Sequence, residues 1–393
     1  MAMRLFHALA VTLLGIGCSD PPTASDTQPP SRDSGGDSAA PSDSGADSAA
    51  PSDSGGGGGG DSAAPPDPTG CGAETYTSGN YELEHGGLTR TFRVFVPDSH
   101  SDTTPAPLVL AFHGWGGSVN EFLGSNAVIS ESEARGYIVV APLGLGAGPP
   151  DSSWASWAFS GSTTGLDGDG SNAKVPGDTP DICDDAATTD YSYPSCAGVA
   201  DNGCSWTHCQ ADDLDFVLDL LAALEAGLCI DAQAIFATGG SNGGMFTWEL
   251  GQDARTASSF RALAPLIGLP HRGYLAGKAT EAALPVLSIT GTRDSTVPPG
   301  DWEDPSYTVT TDGDRYFYTG ATAITQVWAE AHGCEITQPA APFDVGSGSL
   351  DCRSYCAADE GWPEVLDCRA DMGHTYSLST TWPVLLDFFE AQR

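Results

Sequence analysis

One serine in this chain lies among closely spaced glycines, in residues 238–245 (TGGSNGGM). Gly239, Ser241 and Gly243 match the pattern G-x-S-x-G, in which a serine stands on a sharp turn between a strand and a helix. Glycine at both flanks lets the turn close without a side-chain clash. The pattern predicts a nucleophilic serine. The alternative is an ordinary Gly/Ser turn, since glycine makes up 49 of the 393 residues.

A carboxylate that can support such a serine follows later in the chain. Asp294 comes just after the apolar residues 285–290, and an acid at the end of a strand can orient a histidine and stabilise its charged form. Asp301, Glu303 and Asp304 are nearby competitors, and a plain solvated aspartate is the alternative. The position directly after the strand favours Asp294.

The general base is expected after this acid, where the remaining histidines are His332 and His374. His332 precedes Gly333 at the end of a helical stretch, which is typical of the C-terminal residue of a helix. His374 follows one predicted strand and precedes the last predicted helix. We therefore predict a catalytic set of Ser241, Asp294 and His374, in that chain order.

The elements that position these residues alternate between strand and helix. Continuous apolar segments, typical of strands buried on both faces, occur at residues 107–112 and 137–141, and a short apolar run occurs at 234–237. Further strands are predicted at 262–267, 285–290 and 364–368. A hairpin is predicted at 81–96 around Gly86 and Gly87, an amphipathic helix at 211–224 and a closing helix at 380–391. The alternation predicts an α/β fold with a mostly parallel central sheet flanked by helices.

The N-terminal region has the composition of a leader and a tether. Residues 1–18 have one cation and a short apolar run, which predicts a signal peptide, and Cys18 at its end predicts lipidation of the bacterial lipoprotein type. The alternative is simple secretion. Residues 19–70 repeat Ser, Pro, Gly, Ala and Asp, which predicts a disordered acidic linker. The folded domain is then expected at 71–393.

Charge and cysteine content narrow the partners. The formal net charge of −37 would repel nucleic acid and anionic lipid, so neither is expected as a partner, and the membrane is expected to be reached only through the lipid anchor. Beyond Cys18 there are ten cysteines, an even number that favours up to five disulfides in an exported protein. A zinc site is the weaker alternative because no C-x-x-C pair occurs, so no metal is predicted.

Segments across almost all of residues 71–393 together resemble the secreted esterase family of polyhydroxybutyrate depolymerases, feruloyl esterases and acetylxylan esterases. The matching segments are 108–117 (LVLAFHGWGG), 212–231, 235–245 (IFATGGSNGGM), 291–298 (GTRDSTVP), 328–334 (WAEAHGC) and 373–374. The resemblance implies an α/β-hydrolase fold, no cofactor and a serine, aspartate and histidine in the roles predicted above.

In this fold two backbone N–H groups hold the oxyanion, one from the loop after the first buried strand and one from the residue after the nucleophile. These positions are Trp115 and Asn242. His113 is expected to be a structural hydrogen-bonding residue of its loop rather than a base. The glycines of both segments, Gly114, Gly239 and Gly243, are expected to let the backbone approach the substrate.

Two features depart from the family pattern. Gly240 precedes the serine where Leu or Met is common, and residues 151–210 form a longer, cysteine-rich insert. The insert carries aromatic residues that either line the substrate site or pack a disulfide-bonded loop: Trp154, Trp157, Phe159, Tyr191, Tyr193 and Trp206. Residues 167–172 (DGDGSN) resemble a calcium loop but lack the terminal acid, which favours an acidic surface loop.

The sequence therefore predicts an exported serine esterase, expected as a monomer without a cofactor, at the outer surface of a bacterial envelope or beyond it. Its expected substrate is a polyhydroxyalkanoate polyester or oligomer, or a feruloyl or acetyl ester of plant polysaccharide. The alternatives are a serine peptidase on the same fold and a non-catalytic carbohydrate-binding surface protein.

Overall fold

The structure is a computed structural model that describes residues 71–72, 75–146, 154–159, 213–271, 282–303, 307–311, 316–337, 340–356 and 361–393. The predictions for the signal peptide, Cys18, the acidic linker and residues 167–172 lie outside the described residues. So do most of the insert and three of its aromatic residues, Tyr191, Tyr193 and Trp206.

Strands dominate the middle layer of the described part. They are β1 (Gly79–His85), β2 (Leu88–Phe95), β3 (Ala106–Phe112), β4 (Ile138–Pro142), β5 (Leu145–Gly146), β6 (Ala155–Ser156), β7 (Ile230–Gly240), β8 (Ala262–Leu266), β9 (Val286–Gly291), β10 (Tyr307–Val309), β11 (Phe317–Thr319), β12 (Ala341–Phe343), β13 (Leu350–Ser354) and β14 (Val365–Ala370). Ten of them form one sheet in the order β1-β2-β4-β3-β7-β8-β9-β14-β13-β12.

The centre of this sheet, from β4 to β14, is parallel, and antiparallel strands lie at both edges. At one edge β1 and β2 form the predicted hairpin, whose turn residues Gly86 and Gly87 have φ of 59° and 79°. Positive φ at both turn positions suits glycine and fits a tight two-residue hairpin turn. Because parallel strands end on the same side, the loops after β3, β7, β9 and β14 meet at one edge.

Helices cover both faces of the sheet. They are α1 (Asn120–Leu123), α2 (Asn126–Arg135), α3 (Asp213–Gly227), α4 (Asn242–Gln252), α5 (Ala321–Ala331) and α6 (Leu378–Ala391). Side chains of β3 alternate between two apolar clusters: Leu108, Leu110 and Phe112 pack with α3, α4 and α5, while Val109 and Ala111 pack with α1, α2 and α6. Every residue of β3 is buried, as its continuous apolar sequence predicts.

Disulfides pin this sheet at three places among the described residues. Cys71 pairs with Cys229 just before β7, Cys334 pairs with Cys356, and Cys352 pairs with Cys368. The last two cysteines are directly opposite each other on β13 and β14. These bonds confirm the prediction of disulfides and fit a protein that folds in an oxidising compartment.

The predicted fold is confirmed, with the α/β architecture, the mostly parallel sheet and the flanking helices in the expected order. The short strands β12 and β13 were not predicted, because their residues are partly exposed and lack a continuous apolar run. Within the described residues, no helix has the length and apolar character required to cross a membrane.

Candidate active site

Ser241 lies at the sharp turn between β7 and α4, where the glycine-rich segment predicts it. Its φ of 53° and ψ of −118° place a non-glycine residue in a strained conformation, of the kind that functional sites retain. The turn has no room for side chains at the flanking glycines. A Cβ at Gly239 would lie 2.3 Å from the carbonyl oxygen of Gly243, and one at Gly243 would lie 2.1 Å from that of Phe112.

The structure brings the three predicted catalytic side chains into one hydrogen-bonded chain. Nε2 of His374 lies 2.9 Å from Oγ of Ser241, and its Nδ1 lies 2.7 Å from Oδ2 of Asp294. Since the carboxylate accepts, Nδ1 carries the proton and Nε2 is free to accept the proton of the serine hydroxyl. The His374 side chain is 28% exposed and that of Asp294 is fully buried, while Ser241 is half-buried, so the acid is shielded from solvent and the other two residues reach it.

Asp294 is held by its own loop, residues 292–298. Its Oδ1 accepts hydrogen bonds from the backbone N–H groups of Thr296 and Val297, each at 2.9 Å. This loop is tied to the loop that carries the histidine, because the N–H of Arg293 donates to the carbonyl of Met372 at 3.0 Å. Backbone bonds between the two loops therefore fix the position of the acid relative to the base.

The competing candidates lie apart from this chain. His332 is the C-terminal cap of α5, and its Nε2 lies 3.0 Å from the carbonyl oxygen of Leu284. Asp301 and Glu303 are exposed, and Asp304 lies outside the described residues. Among the candidate histidines and acids in the described residues, the structure brings only His374 and Asp294 into the hydrogen-bonded chain with Ser241.

His113 and its loop, residues 113–117, lie beside the serine. His113 is 1% exposed; its Nδ1 lies 2.7 Å from the carbonyl oxygen of Gly114, and its Nε2 lies 2.9 Å from the backbone nitrogen of Gly144. Since Gly144 N–H donates, Nε2 is the acceptor and the ring is neutral. Burial lowers the pKa of His113 to about 4. The ring connects two loops by hydrogen bonds.

The two predicted oxyanion positions flank the serine in the chain fold. Asn242 is the first residue of α4, and the first N–H groups of a helix have no partner inside it. Trp115 follows Gly114, where an added Cβ would lie 3.4 Å from Cβ of Ser241. The His113 loop therefore lies close to the nucleophile, and the role of the Trp115 and Asn242 N–H groups as oxyanion donors stays a prediction.

Trp157, near the start of the insert, joins Asn242 to the His113 loop by hydrogen bonds. This role was not predicted from the sequence. Its backbone N–H donates to Oδ1 of Asn242 and its indole N–H donates to the carbonyl of His113, both at 2.8 Å. The ring is 1% exposed and stacks on Phe246 of α4 at a centroid distance of 5.2 Å. This part of the insert is core, and its sequence signal was limited to aromatic content.

Trp154, the first described residue of the insert, is exposed. Trp154 and Trp115 are 49% and 37% exposed, and their rings meet edge to face with centroids 5.6 Å apart. Large exposed aromatic residues that touch each other beside a candidate nucleophile are typical of a ligand-contacting surface. Trp157 therefore packs in the core, while contact of Trp154 with a substrate stays a prediction.

Gly240, the departure from the family pattern, is explained by Tyr376. A Cβ at Gly240 would lie 2.0 Å from the ring of Tyr376, which occupies the space that a larger side chain would need. Tyr376 stands two residues after the candidate base and donates its hydroxyl hydrogen bond to Oε2 of Glu121. Neither Tyr376 nor Glu121 was predicted as part of the site.

Side chains that could bind a metal ion come close together at one place among the described residues. The one group of closely spaced donors consists of Cys334, Cys356 and Glu364. Its two cysteines form a disulfide with each other, so they do not offer thiolates to a metal.

Together, the strand order, the strained serine turn and the hydrogen-bonded serine, histidine and aspartate define an α/β-hydrolase fold with a complete candidate triad. No protein-family profile matches the chain. A curated relative, the probable feruloyl esterase C of Aspergillus terreus, is 25% identical over 236 residues, which cover 58% of this chain and 63% of that protein. The chain thus spans less than two thirds of the length of this relative. The match itself confirms the predicted resemblance to esterases.

Two solved structures share partial similarity with this chain. The acetyl xylan esterase from Aspergillus awamori has a TM-score of 0.48 at 14% identity, covering 79% of this chain and 99% of that one. Native pOPH has a TM-score of 0.37 at 17% identity, covering 56% and 69%. The fold assignment itself rests on the strand order and loop positions described above.

Proposed function

We propose that this protein is a serine hydrolase of carboxylic esters that works through an acyl-enzyme. The observation that carries the proposal is the continuous hydrogen-bonded chain from Ser241 through His374 to buried Asp294. The distant relative named as a feruloyl esterase supports ester hydrolysis over other uses of the same three residues.

In the proposed first half-reaction, Nε2 of His374 takes the proton of Ser241 while Oγ attacks the ester carbonyl carbon. The backbone N–H groups of Asn242 and Trp115 stabilise the negative oxygen. The bond to the alcohol oxygen then breaks, and that oxygen takes the proton from His374. In the second half-reaction water gives a proton to His374, attacks the acyl carbon and releases the acid, and Ser241 regains its proton.

For the substrate we propose an ester that carries a ring beside the scissile bond, as in feruloylated or acetylated polysaccharide. The exposed pair Trp115 and Trp154 supports this choice, because indole faces gain most from contact with another ring. A polyhydroxyalkanoate oligomer has no ring and is the competing ester substrate. Peptide hydrolysis and binding without catalysis are the remaining alternatives.

We also propose that the protein is exported and held at the cell envelope by a lipid on Cys18. The leader-like composition of residues 1–18 and the three disulfides support export. Replacing Cys18 by Ala is expected to move the protein from the membrane fraction to the soluble fraction. An unchanged distribution would contradict lipidation.

The test of the activity uses the protein and its Ser241→Ala variant on p-nitrophenyl acetate, methyl ferulate, acetylated xylan, hydroxybutyrate oligomers and a peptide. We expect turnover of the ring-bearing esters, and a loss in kcat on the order of 10⁶-fold in the variant, since removing the nucleophile alone disables a triad. Ser130→Ala, on the exposed surface of α2, is the matched control and should match the wild type. Equal turnover with and without Ser241 would overturn the proposal.

A further inference from the structure

Two side chains outside the candidate triad connect three loops: the His113 loop, the loop that carries His374 and the turn that carries Ser241. Glu121 is on α1, and its Oε2 accepts a hydrogen bond of 2.8 Å from the backbone N–H of Gly114 in the His113 loop. The same oxygen accepts the hydroxyl hydrogen of Tyr376, which belongs to the loop of residues 371–377 that carries His374. One carboxylate oxygen thus joins the loop of the base to the loop of a proposed oxyanion donor.

Tyr376 also contacts the turn that carries the nucleophile. Its hydroxyl lies 3.5 Å from the carbonyl oxygen of Gly240, the residue before Ser241, and its ring fills the space above Gly240. The ring is held on its other side by Phe122, with which it stacks at a centroid distance of 5.4 Å. All three loops therefore meet at this one side chain.

The backbone of the His113 loop packs closely against the side chains of Glu121 and Tyr376. A Cβ at Gly114 would lie 2.6 Å from the Tyr376 hydroxyl, and a Cβ at Gly117 would lie 2.2 Å from Oε1 of Glu121. Glycine at both positions lets the His113 loop close around the carboxylate. Hydrogen bonds to a carboxylate are stronger and shorter than bonds between neutral groups, so they define the loop position closely.

The pair has no direct part in proton transfer. Burial, followed by the charge of Glu121, raises the pKa of Tyr376 well above its usual value, so the hydroxyl stays protonated and remains a donor. His374, and not Tyr376, is within hydrogen-bond distance of Ser241 Oγ. The contacts of the pair are instead those of a support for the surrounding backbone.

We propose that Glu121 and Tyr376 are positioning residues, which set the distance between the base, the nucleophile and the oxyanion donor next to Gly114. This inference rests on the proposed ester hydrolysis at the same site. Small displacements of such groups reduce kcat strongly, because the transition state needs all of them in place at once.

The first test is Tyr376→Phe, which keeps the ring against Phe122 and Gly240 but removes the hydroxyl. We expect kcat on p-nitrophenyl acetate to fall about 10- to 100-fold with KM changed less than about threefold, which is the pattern for loss of a transition-state interaction. The rate of labelling by a fluorophosphonate probe should fall in parallel. A kcat and labelling rate equal to those of the wild type would overturn the proposal.

The matched control is Tyr137→Phe. Tyr137 is also buried, and its hydroxyl also donates to a carboxylate, Glu390 of α6, at 2.9 Å. Its removal deletes the same kind of bond near the start of β4, away from the three loops. We expect a similar loss of stability and an unchanged kcat. If both variants lost kcat equally, the effect of Tyr376 would be one of stability and the proposal would be wrong.

Glu121 supplies the second arm. Glu121→Gln keeps an oxygen that can accept both hydrogen bonds but removes the negative charge, so its kcat should fall less than that of Glu121→Ala. Adding Tyr376→Phe to Glu121→Ala should change kcat by less than about twofold, since the two residues act as one unit. Fully additive losses would contradict a joint role.

This design separates the two proposals. An absence of ester turnover in the wild type would contradict the proposed function, while the relative labelling rates of the same variants would still decide the role of the pair. Turnover that depends on Ser241 but is unaffected by Tyr376→Phe would support the function and refute the pair.

Discussion

Two loops at the same edge of the sheet each carry a histidine, in opposite surroundings. His374 is partly exposed, with a buried carboxylate on one nitrogen and a serine hydroxyl on the other. His113 is buried between a backbone carbonyl and a backbone N–H, where burial lowers its pKa to about 4. The ring is the same in both loops. Its partners and its access to solvent make one a candidate base and the other a neutral connector.

The different partners of His374 and His113 indicate what a histidine needs in order to act as the general base in this fold. A carboxylate partner stabilises the charged ring that forms when the serine loses its proton, whereas the two ring hydrogen bonds of His113 go to a backbone carbonyl and a backbone N–H. The His374 ring also lies within hydrogen-bond distance of Ser241 Oγ, whereas both ring nitrogens of His113 contact backbone groups. The distinction comes from the Asp294 loop, which reaches one histidine only.

The largest effect on activity is expected from His374→Gln, which removes the proposed general base. We expect a loss in kcat of about 10⁴-fold or more, because no other group can take the serine proton. The matched control is His85→Gln, since His85 also lies 2.7 Å from an aspartate oxygen, that of Asp219, but has no serine beside it. Steady-state kinetics on p-nitrophenyl acetate decide. Retained turnover in His374→Gln would transfer the role of base to another residue.

A smaller effect is expected from Gly240→Ala, which changes the contact between the turn that carries Ser241 and the loop that carries His374. The new Cβ would lie 2.0 Å from the Tyr376 ring and force that side chain aside. Overpacking of this kind costs about 1–3 kcal/mol of unfolding free energy, and displacement of the loops should lower kcat about 10- to 100-fold.

Gly348→Ala is the control for Gly240→Ala, because a Cβ at Gly348 meets no atom within 4 Å. Urea unfolding and kcat are measured for both variants. Wild-type kcat in Gly240→Ala would mean that the Tyr376 ring can move without disturbing the serine, which would also weaken the role assigned to Tyr376.

Much of this architecture could be predicted from the sequence, because the signals are local. The continuous apolar run of β3 and the glycines around Ser241 report directly on burial and on a turn without room for side chains. Both later histidines follow Asp294, and their places in the predicted elements, a helix end for His332 and a loop after a strand for His374, then favoured His374. These inferences use residues that are neighbours in the chain or follow a recognisable strand.

The rest of the site depends on contacts between distant residues that carry no local signal. Glu121 and Tyr376 are 255 positions apart, and a glutamate in a short helix is typical of an ordinary surface residue. Trp157 and Trp154 are both tryptophans of the insert, yet one is 1% exposed and the other 49%. Their difference is set by which neighbour each meets in three dimensions, and aromatic content does not encode it.

The last prediction concerns His113 and the free energy of unfolding rather than the rate. Because the pKa of His113 is lowered in the folded protein, stability should depend on pH. The pKa of His113 is about 4 in the folded protein and about 6.5 in the unfolded chain, so between these values the unfolded chain binds the extra proton. Unfolding free energy should therefore be greatest above pH 6.5 and fall as the pH drops toward 4, with this ring contributing on the order of 3 kcal/mol.

In His113→Gln this contribution is absent. At pH 7.5 the variant should be less stable than the wild type by about 1–3 kcal/mol, since the buried N–H of Gly144 loses a well-placed acceptor. The gap should narrow as the pH falls to 5, because only the wild type is penalised for excluding the proton. His271→Gln should behave in the same direction, since burial lowers the pKa of His271 to about 3. Urea unfolding at pH 7.5, 6 and 5 measures the gap, and a gap that stays constant would mean that His113 is not the neutral connector the structure indicates.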